Sequence, residues 1–521
     1  MPTPPANTVP ATTTPTTGAA AKAVRARAAA VPTYASFDSV DPGTGTVLSS
    51  WPQHDAAAVE AAVLRGREAA QWWQAQGWAG RRAHLSAWKG QIARRIHELA
   101  DLVHDENGKP HADAVLEISL AVDHIAWAAK NAPKVLGPQR ISAGLLAANQ
   151  AATLEYQPLG VVGVIGPWNY PVFTPMGSIA YALASGNAVV FKPSEHTPAI
   201  GAWLVDAWAQ AVPAGKDVFQ LITGLGETGA ALCRAGVDKI AFTGSGRTGK
   251  KVMAACAENL VPVLMECGGK DAMIVTDDAN VKAAADAALW GGMSNAGQTC
   301  IGIERVYVTD KVFEQFLSEL TRRASQLRPG SDAGASYGPI TMPGQVDIIR
   351  DHIADALAKG GTAVTGGGID GAYVEPTILI DVPEDSLAVR EETFGPTLTV
   401  TRVKDTEEAL RRTNATSYGL AGSVFTGSRR SGVELARRMR SGMTSVNSVI
   451  AFASVPGLPF GGVGESGFGR IHGADGLKEF TRAKSITSQR FALPVALLSF
   501  SRPAKVTDQL AKVMGLLHGR S

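Results

Sequence analysis

The sequence predicts an α/β protein with two lobes, each built on a parallel β-sheet that helices cover on both faces. Short apolar runs typical of buried strands alternate with helical patterns along the chain, and such strands usually lie in parallel sheets. The chain has 521 residues, which is about three times the usual domain size. A chain of this length is expected to form more than one compact core. Apolar residues make up 45% and charged residues 18% of the chain, which is typical of a globular protein.

The predicted elements begin after an N-terminal tail. Residues 1–34 are rich in Pro, Thr and Ala and nearly lack large apolar side chains, so this segment is predicted to be disordered. A helix is predicted from the N-cap Asp55, because apolar residues recur at near-helical spacing at Val59, Val63, Ala70 and Trp73. A second helical stretch is predicted over residues 81–103.

Apolar runs then predict the strands of the two sheets. The first block comprises residues 159–166, 186–193, 217–224 and 239–245. The second block comprises residues 271–277, 303–310 and 423–427. Because each run is short and separated from the next by helical or turn residues, two α/β lobes are the expected architecture.

Composition excludes several classes of protein. The formal net charge of +2 leaves no excess of basic residues for nucleic-acid binding. Four cysteines without a CxxC spacing do not form a disulfide framework, and we predict no metal site. The longest apolar runs, residues 161–168 and 491–500, are shorter than the roughly 20 residues that span a bilayer. The N-terminal tail has no apolar core of a signal sequence, so we predict a cytoplasmic protein.

Three residues are candidates for chemistry. Cys300 lies between a helical stretch and a strand. A free thiol is mostly protonated at neutral pH and needs a favourable electrostatic field or a nearby base to become a nucleophilic thiolate. The alternative is a core residue, which is the more frequent role of an isolated Cys. Glu266 ends an apolar run, where burial raises the basicity of a carboxylate, but a surface position is equally consistent. Asn169 follows a strand and either donates to an oxyanion or holds a turn.

Two glycine patterns compete for the phosphates of a dinucleotide. GLGETG (224–229) matches the dinucleotide fingerprint, but no acidic residue about 20 positions later completes it. FTGSGRTG (242–249) leads into a helix whose N-terminus is a second candidate. Lys192 and Glu195 follow another strand. A carboxylate there accepts hydrogen bonds from a ribose diol and repels a 2′-phosphate, so NAD is predicted, while some use of NADP stays open.

Nine motifs in order resemble one family. They are DPGTGTV (41–47), ENGKP (106–110), PWNYP (167–171), KPSE (192–195), FTGS (242–245), MECGGKD (265–271), GQTC (297–300), EETFGP (391–396) and PFGGVGESGFGR (459–470). From about residue 36 to 490 the chain is similar to the NAD(P)-dependent aldehyde dehydrogenase superfamily, and the last motif resembles its class-three-like branch of aryl and fatty aldehyde enzymes. Cys267 stands where a larger apolar residue such as Leu is usual, which we interpret as a packing substitution.

The resemblance implies roles for particular residues. Cys300 is expected to attack the aldehyde, Asn169 and the Cys300 N–H to hold the oxyanion, and Glu266 to activate water for release of a carboxylate. The implied cofactor-binding set favours the second glycine turn and comprises Ile165, Pro167, Trp168, Lys192, Glu195, Gly224, Gly244, Ser245, Gly249, Glu392 and Phe394. The candidate walls of the substrate pocket are Tyr170, Phe173, Ile301 and Phe460. These are apolar or aromatic and include no Arg, so an aromatic or a medium-to-long aliphatic aldehyde is expected rather than succinate semialdehyde.

The resemblance also implies a Rossmann-like division of the chain. We expect an NAD-binding domain at 35–138 and 160–267, a catalytic domain at 268–480, a small β oligomerisation element at 139–159 and 481–495, and a C-terminal extension at 496–521. A homodimer or a tetramer is therefore expected. The segment 491–521 contains an amphipathic helix pattern with Val506, Leu510, Val513 and Leu517 on one face. It either packs on a partner subunit, the favoured interpretation, or contacts an anionic membrane.

Two other functions stay open at this point. A CoA-acylating dehydrogenase on the same fold has no need for a base that activates water, which disfavours it if Glu266 has that role. A non-catalytic protein of the same fold is disfavoured because Cys300, Glu266 and Asn169 are present together.

Overall fold

The computed structural model describes residues 34–494 and 498–519. The predicted disordered tail therefore lies, apart from Tyr34, outside the described residues, as do a few positions of the C-terminal extension. The chain divides into two compact units: one holds the residues up to Val135 together with Pro158–Thr481, and the other holds Leu136–Gln157 and Arg482–Ser521.

Strands and helices alternate along most of the chain. The strands are β1 (Ser36–Val40), β2 (Val47–Pro52), β3 (Gln139–Ile141), β4 (Gln150–Pro158), β5 (Val161–Ile165), β6 (Ala188–Lys192), β7 (Phe219–Leu221), β8 (Lys239–Gly244), β9 (Val263–Cys267), β10 (Asp271–Val275), β11 (Ile303–Thr309), β12 (Thr362–Thr365), β13 (Ile369–Asp370), β14 (Tyr373–Val374), β15 (Thr377–Ile380), β16 (Thr397–Val403), β17 (Gly422–Phe425), β18 (Ser445–Val446), β19 (Gly467–Phe468) and β20 (Thr481–Gln489). The helices are α1 (Ala56–Ala75), α2 (Gly77–Arg94), α3 (Ile96–Asn107), α4 (His111–Leu136), α5 (Phe173–Ala184), α6 (Pro198–Ala211), α7 (Gly226–Arg234), α8 (Gly246–Ala257), α9 (Val281–Met293), α10 (Asp310–Ala324), α11 (Pro343–Ala358), α12 (Leu387–Arg390), α13 (Thr406–Asn414), α14 (Arg429–Arg438), α15 (Gly473–Glu479) and α16 (Ala504–His518).

The first sheet of the larger unit has the strand order β19-β9-β8-β5-β6-β7. Strands β9, β8, β5, β6 and β7 are parallel, and β19 is antiparallel to β9. The register pairs Ile165 with both Lys192 and Phe242, and it pairs Glu266 with Thr243. Because carboxyl ends of parallel strands share one edge of a sheet, several predicted site residues lie along this edge.

The second sheet of the same unit has the order β12-β15-β16-β11-β10-β17-β18. Its strands are parallel except for the edge strand β12. Strands β10 and β11 are fully buried, and side chains such as Phe316, Ile349 and Leu398 pack in the cluster on this sheet. The two parallel sheets with helices confirm the predicted α/β fold class.

The structure refines two predicted elements. The helical stretch predicted over 81–103 is confirmed, and it is divided between α2 and α3 at Arg95, where φ is −113° and ψ is 27°. Arg95 donates hydrogen bonds to Glu98, three residues later, at 2.6 and 2.9 Å. Its guanidinium also stacks on Trp203, a long-range contact that the local pattern does not encode. The strand over 217–224 is confined to β7, because residues 213–218 form a 3₁₀ segment. The predicted N-cap is confirmed, since Asp55 accepts a hydrogen bond from the Ala58 N–H at 2.9 Å.

The smaller unit contains a sheet of strand order β20-β4-β3 and the helix α16. Strands β3 and β4 form an antiparallel hairpin. Helix α16 forms within the predicted amphipathic segment 491–521, and none of its described residues is buried. No helix in the described ranges is sufficiently long and apolar for a membrane crossing.

Candidate active site

Cys300 lies in a tight turn between α9 and β11. The residues before it form a left-handed run, with φ values of 53° at Asn295, 56° at Ala296 and 71° at Gly297. At Gly297 a Cβ atom would lie 2.0 Å from the carbonyl oxygen of Gly395, so only glycine fits there. Non-glycine residues in this conformation store strain that the surrounding structure must hold. The turn therefore sets the position of Cys300 through backbone geometry.

Cys300 lines a cavity of about 110 Å³. The four predicted wall residues Tyr170, Phe173, Ile301 and Phe460 all line this cavity. Further lining residues that sequence reasoning did not identify include Leu116, Leu120, Trp290, Ile450, Ala453, Asn295, Lys109, Asp113 and Glu117. The structure thus brings the predicted nucleophile and the predicted pocket walls together.

Asn169 lies between β5 and α5 and is buried. Its side-chain Nδ2 donates to the carbonyl oxygen of Gln298 at 2.9 Å. The neighbouring Tyr170 hydroxyl is 3.1 Å from Oγ1 of Thr299. These two contacts join the segment after β5 to the residues immediately before Cys300, so the candidate oxyanion donor lies beside the turn that carries the thiol.

Glu266 lies near the end of β9 and is 3% exposed. Its Oε1 has no hydrogen-bond partner among the described residues. Burial raises the pKa of this carboxyl well above its ordinary value, the Arg470 guanidinium opposes the rise, and the Glu479 carboxyl adds to it. A desolvated carboxyl of this kind is a stronger base once it is ionised.

The surroundings of Cys300 oppose ionisation of its thiol. Burial raises the pKa of Cys300, the carboxyls of Glu266, Glu392 and Asp271 raise it further, and a hydrogen bond with the main chain at Ile301 lowers it. The carboxyl groups around the sulfur therefore favour the protonated form of the Cys300 thiol.

The predicted adenosine end of the cofactor site lies at the end of β6. The Lys192 ammonium is buried, donates to the Pro193 carbonyl at 3.2 Å and lies 3.9 Å from Oε2 of Glu195. The Glu195 side chain is 42% exposed. A cation beside an accessible carboxylate fits a ribose diol, which both donates and accepts hydrogen bonds.

The two glycine turns differ in the space that they leave. At Gly224 a Cβ atom would lie 2.0 Å from Oγ1 of Thr228, so the Thr228 side chain fills the space beside that turn. At Gly246, the first residue of α8, the nearest atom to a Cβ is 3.7 Å away, and the N-cap Ser245 accepts from the Thr248 N–H at 3.3 Å. An open helix N-terminus fits a pyrophosphate. Gly244 and Gly249 flank this turn, and the Sγ of Cys267 lies 3.2 Å from a Cβ built at Gly249.

The residues predicted for the nicotinamide end, Glu392 and Phe394, make contacts with the segments that follow β9 and β5. Glu392 accepts a hydrogen bond from the Gly269 N–H at 3.1 Å, and a Cβ at Gly268 would lie 2.0 Å from Oε1 of Glu392. Burial raises the pKa of Glu392 to about 8. The rings of Trp168 and Phe394 meet edge to face at 5.6 Å. The glycine pair after β9 therefore admits the Glu392 carboxyl to the edge where Glu266 lies.

A family model fits this architecture over most of the chain. Residues 31–486 match the model of the Aldehyde dehydrogenase family. The chain belongs to the aldehyde dehydrogenase family. It is accordingly an oxidoreductase that acts on aldehydes, and aldehyde dehydrogenases use nicotinamide cofactors.

Similar proteins differ in their named substrates and cofactors. This aldehyde dehydrogenase is 37% identical to the 4,4′-diapolycopene aldehyde oxidase of Methylomonas sp., over 88% of this chain and 86% of that protein. It is 34% identical to the putative succinate-semialdehyde dehydrogenase [NADP(+)] of Mycolicibacterium smegmatis, over 86% of this chain and 87% of that protein. The NAD-dependent aldehyde dehydrogenase of Sinorhizobium meliloti superposes with a TM-score of 0.85 at 32% identity, over 89% of this chain and 93% of that one.

Sequence reasoning missed the polar side of the cavity. Lys109, Asp113 and Glu117 line it beside Tyr170, although ENGKP (106–110) counted only as one motif of the resemblance. The available signal was a lysine immediately before a helix that carries two acidic residues on its first turns. Asn295, which lines the same cavity, gave no separate signal.

Proposed function

We propose that this protein oxidises aromatic or medium-to-long aliphatic aldehydes to carboxylates with NAD, through a covalent thioester on Cys300. The observation that carries the proposal is the cavity in which Cys300 meets a largely apolar wall. Burying an apolar substrate chain against such a wall is favourable by about 25 cal/mol per Å².

The charge of the cavity supports an uncharged substrate. Its lining includes the acidic residues Asp113 and Glu117 and one cation, Lys109, which is already paired with Glu117. No arginine of the described residues lines it. A substrate carboxylate would meet acidic groups without a free cation, which disfavours succinate semialdehyde despite the name of the mycobacterial relative. The name of the Methylomonas relative, an oxidase of 4,4′-diapolycopene aldehyde, agrees with an apolar substrate.

The proposed chemistry assigns one task to each residue. The Cys300 thiol gives its proton to solvent water, and its sulfur forms a bond to the carbonyl carbon. The π electron pair of the carbonyl moves onto the oxygen, which becomes an oxyanion. The Asn169 amide and the Cys300 N–H hold that oxyanion. A nicotinamide, when bound, would accept the hydride that leaves the same carbon as the C=O bond re-forms, which leaves a thioester on Cys300. Glu266 then takes a proton from water, the water oxygen attacks the thioester, and the carboxylate leaves as the sulfur is released.

The residues of the cofactor site support NAD as the cofactor. Ile165, Lys192 and Phe242 are neighbours in the sheet register. Pro167 and Trp168 come after Ile165, separated from it by Gly166, and Glu195 presents a carboxylate beside Lys192. That carboxylate repels a 2′-phosphate, so NADP is the weaker cofactor in this proposal.

A substrate panel with both cofactors tests the proposal. We expect the highest kcat/KM for apolar aldehydes with NAD, and a loss of about 10⁴-fold or more in Cys300→Ala. The buried Cys256→Ala provides the matched control, because this thiol packs with the core of the first sheet. A preference for short carboxylated aldehydes, or undiminished turnover by Cys300→Ala, would contradict the proposal.

We further propose that the smaller unit mediates a homodimer or a tetramer. Its hairpin and strand expose Ile141, Leu145, Leu146 and Ile486, and exposed apolar groups of this kind mark interfaces. Light scattering should give a mass of two or four chains. Ile141→Lys combined with Ile486→Lys should lower that mass, and a monomeric parent protein would contradict the proposal.

For the C-terminal segment, packing on a partner subunit is the favoured interpretation, and reversible contact with anionic membranes is the alternative that we propose to test. Val513, Leu516 and Leu517 of α16 are exposed. The sequence from 482 to 521 carries one acidic residue, Asp508, and the basic residues Arg482, Lys484, Arg490, Arg502, Lys505, Lys512 and Arg520. Basic side chains beside an apolar helix face favour an anionic lipid surface.

Vesicle sedimentation separates this contact from packing on a partner subunit. The full chain should sediment with vesicles that contain phosphatidylserine, whereas a 1–490 truncation and Lys505→Glu/Lys512→Glu should not. Equal sedimentation of all three proteins, together with a changed oligomer mass of the truncation, would assign the segment to the partner subunit instead.

A further inference from the structure

Two oppositely charged side chains are buried beside the cavity without a role in the proposed chemistry. Lys109 and Glu117 are paired, with side-chain exposures of 1% and 0%. Lys109 precedes α4, and Glu117 lies on its second turn. Their contacts lead to the segment that carries Asn169.

Lys109 holds the main chain of Asn169. Its ammonium donates to the Asn169 carbonyl oxygen at 3.0 Å and lies 3.8 Å from the centre of the Tyr170 ring. An ammonium has three donors, and its bonds to Glu117 and Asn169 account for two of them. The Lys109 ammonium therefore fixes the main chain of Asn169, whose side chain is the candidate oxyanion donor.

Glu117 holds the other end of the same segment. While one carboxylate oxygen accepts from Lys109, Oε1 accepts from the N–H groups of Val172 and Phe173 at 2.8 and 3.0 Å. These amides begin α5, where a carboxylate is favourably placed toward the helix dipole. One ion pair thus fixes both ends of residues 169–173.

The Asn295 side chain is a second donor to the main chain of Asn169. Nδ2 of Asn295 donates to the Asn169 carbonyl at 2.9 Å and approaches the Gln298 carbonyl at 3.2 Å. The Asn169 side chain itself donates to that Gln298 carbonyl at 2.9 Å. One amide hydrogen of Asn169 is thereby fixed in direction, which also sets the direction of the second.

We propose that Lys109, held by Glu117, is a positioning residue that orients the Asn169 amide toward the oxyanion. Replacing a buried ion pair by uncharged groups is often neutral for stability, so stability alone does not account for a pair that spans this segment. A preorganised donor needs no reorganisation when charge develops on the substrate oxygen. The inference rests on the proposed function, because it requires an oxyanion at Cys300.

The test is a double-mutant cycle between the ion pair and Asn169. Lys109→Met/Glu117→Gln removes both charges together, leaves no unpaired buried ion, and keeps an oxygen for the α5 amides. We expect kcat to fall about 10²-fold, with KM for the aldehyde and the dissociation constant of NAD changed less than about threefold. Asp123→Asn, an exposed acid on the same helix, is the matched control.

The same double change is then made in Asn169→Ala. If Lys109 acts through Asn169, the pair should cost less than about threefold in this background, because interacting groups are not additive. An equal 10²-fold loss in both backgrounds would show a general structural role and overturn the inference alone. If Asn169→Ala retained full kcat, the oxyanion role in the proposed function would fail, and this inference with it.

Discussion

Glu117 and Glu266 are both buried glutamates near the candidate thiol, yet their surroundings are opposite. Glu117 accepts hydrogen bonds from Lys109 and from two main-chain amides. Oε1 of Glu266 has no partner within the described ranges, and Arg470 directs its Nη1 to the carbonyls of Gly462 and Gly469. Burial raises the pKa of Glu266 well above its ordinary value.

This difference separates two kinds of work. A fully bonded carboxylate is fixed in charge and in place, so it can hold other groups but cannot readily exchange a proton. A carboxyl without a partner is costly to keep buried, and such groups cluster where protons are transferred. The comparison therefore predicts that changes at Glu266 affect a chemical step, whereas changes at Glu117 affect geometry.

Of changes at these two glutamates, Glu266→Gln should have the larger effect, because it removes the base and keeps the size of the side chain. Acylation of Cys300 should proceed while hydrolysis of the thioester slows, so kcat should fall about 10²–10⁴-fold. Rapid mixing should show a burst of about one NADH per site before the slow phase. Cys300→Ala is the control, because it should show no burst.

Loss of the burst in Glu266→Gln would mean that this residue acts before the thioester forms. Addition of CoA extends the experiment to the acylating alternative. If CoA restored full turnover in Glu266→Gln and raised turnover of the parent enzyme, CoA would be the natural acceptor and the hydrolytic proposal would be wrong.

A second effect follows from the raised pKa of Glu266. Only the ionised carboxyl accepts a proton, so kcat should rise with pH above the ordinary range of a glutamate and level off once this carboxyl is ionised. Below that point the change should be about tenfold per pH unit. Steady-state kcat over pH 5–10 should show this limb, and Glu266→Gln should lose it. A limb unchanged in Glu266→Gln would assign the titration to another group, such as the Cys300 thiol.

The strand ends of the site were predictable because each depends on a local pattern. The runs before Asn169, Lys192 and Glu266 are short, apolar and rich in β-branched residues, and the structure places β5, β6 and β9 there. The parallel arrangement then brings their carboxyl ends to one edge. The cap at Asp55 was predictable for the same reason, because capping is a contact over three residues.

The contacts that hold these groups were not predictable. Lys109 and Asn169 are 60 residues apart, and no local pattern pairs them. The left-handed run at Asn295 and Ala296 has no glycine at those two positions, so propensity gives no sign of it. The charge around Cys300 depends on Asp271 and Glu392, which arrive from different strands and loops of the second sheet.

Glu195 is intermediate between the fully bonded Glu117 and Glu266, whose Oε1 has no partner, because it is partly exposed and lies 3.9 Å from the Lys192 ammonium. Glu195→Gln removes the charge that repels a 2′-phosphate, so kcat/KM for NADP should rise about tenfold, equivalent to about 1.4 kcal/mol. The value for NAD should change less. Steady-state kinetics with both cofactors measures the ratio, and Glu258→Gln, an exposed acid bonded to Arg234, is the control. An unchanged ratio would remove Glu195 from cofactor selection.

The contrast between bonded and unbonded buried groups extends to a histidine pair. His124 and His472 lie with ring centroids 3.8 Å apart. Burial lowers the pKa of His124 to about 4, and burial together with His124 lowers that of His472 well below its ordinary value. Since the unfolded chain binds protons first as pH falls below about 6.5, stability is lost in that direction. His124 alone should lower the free energy of unfolding by about 2 kcal/mol at pH 5 relative to pH 7.

Urea unfolding at both pH values should show this loss of stability. His124→Gln should reduce the loss, whereas His97→Gln, at an exposed histidine, should not. A loss that is equal in all three proteins would place the acid sensitivity at other carboxyl or histidine groups.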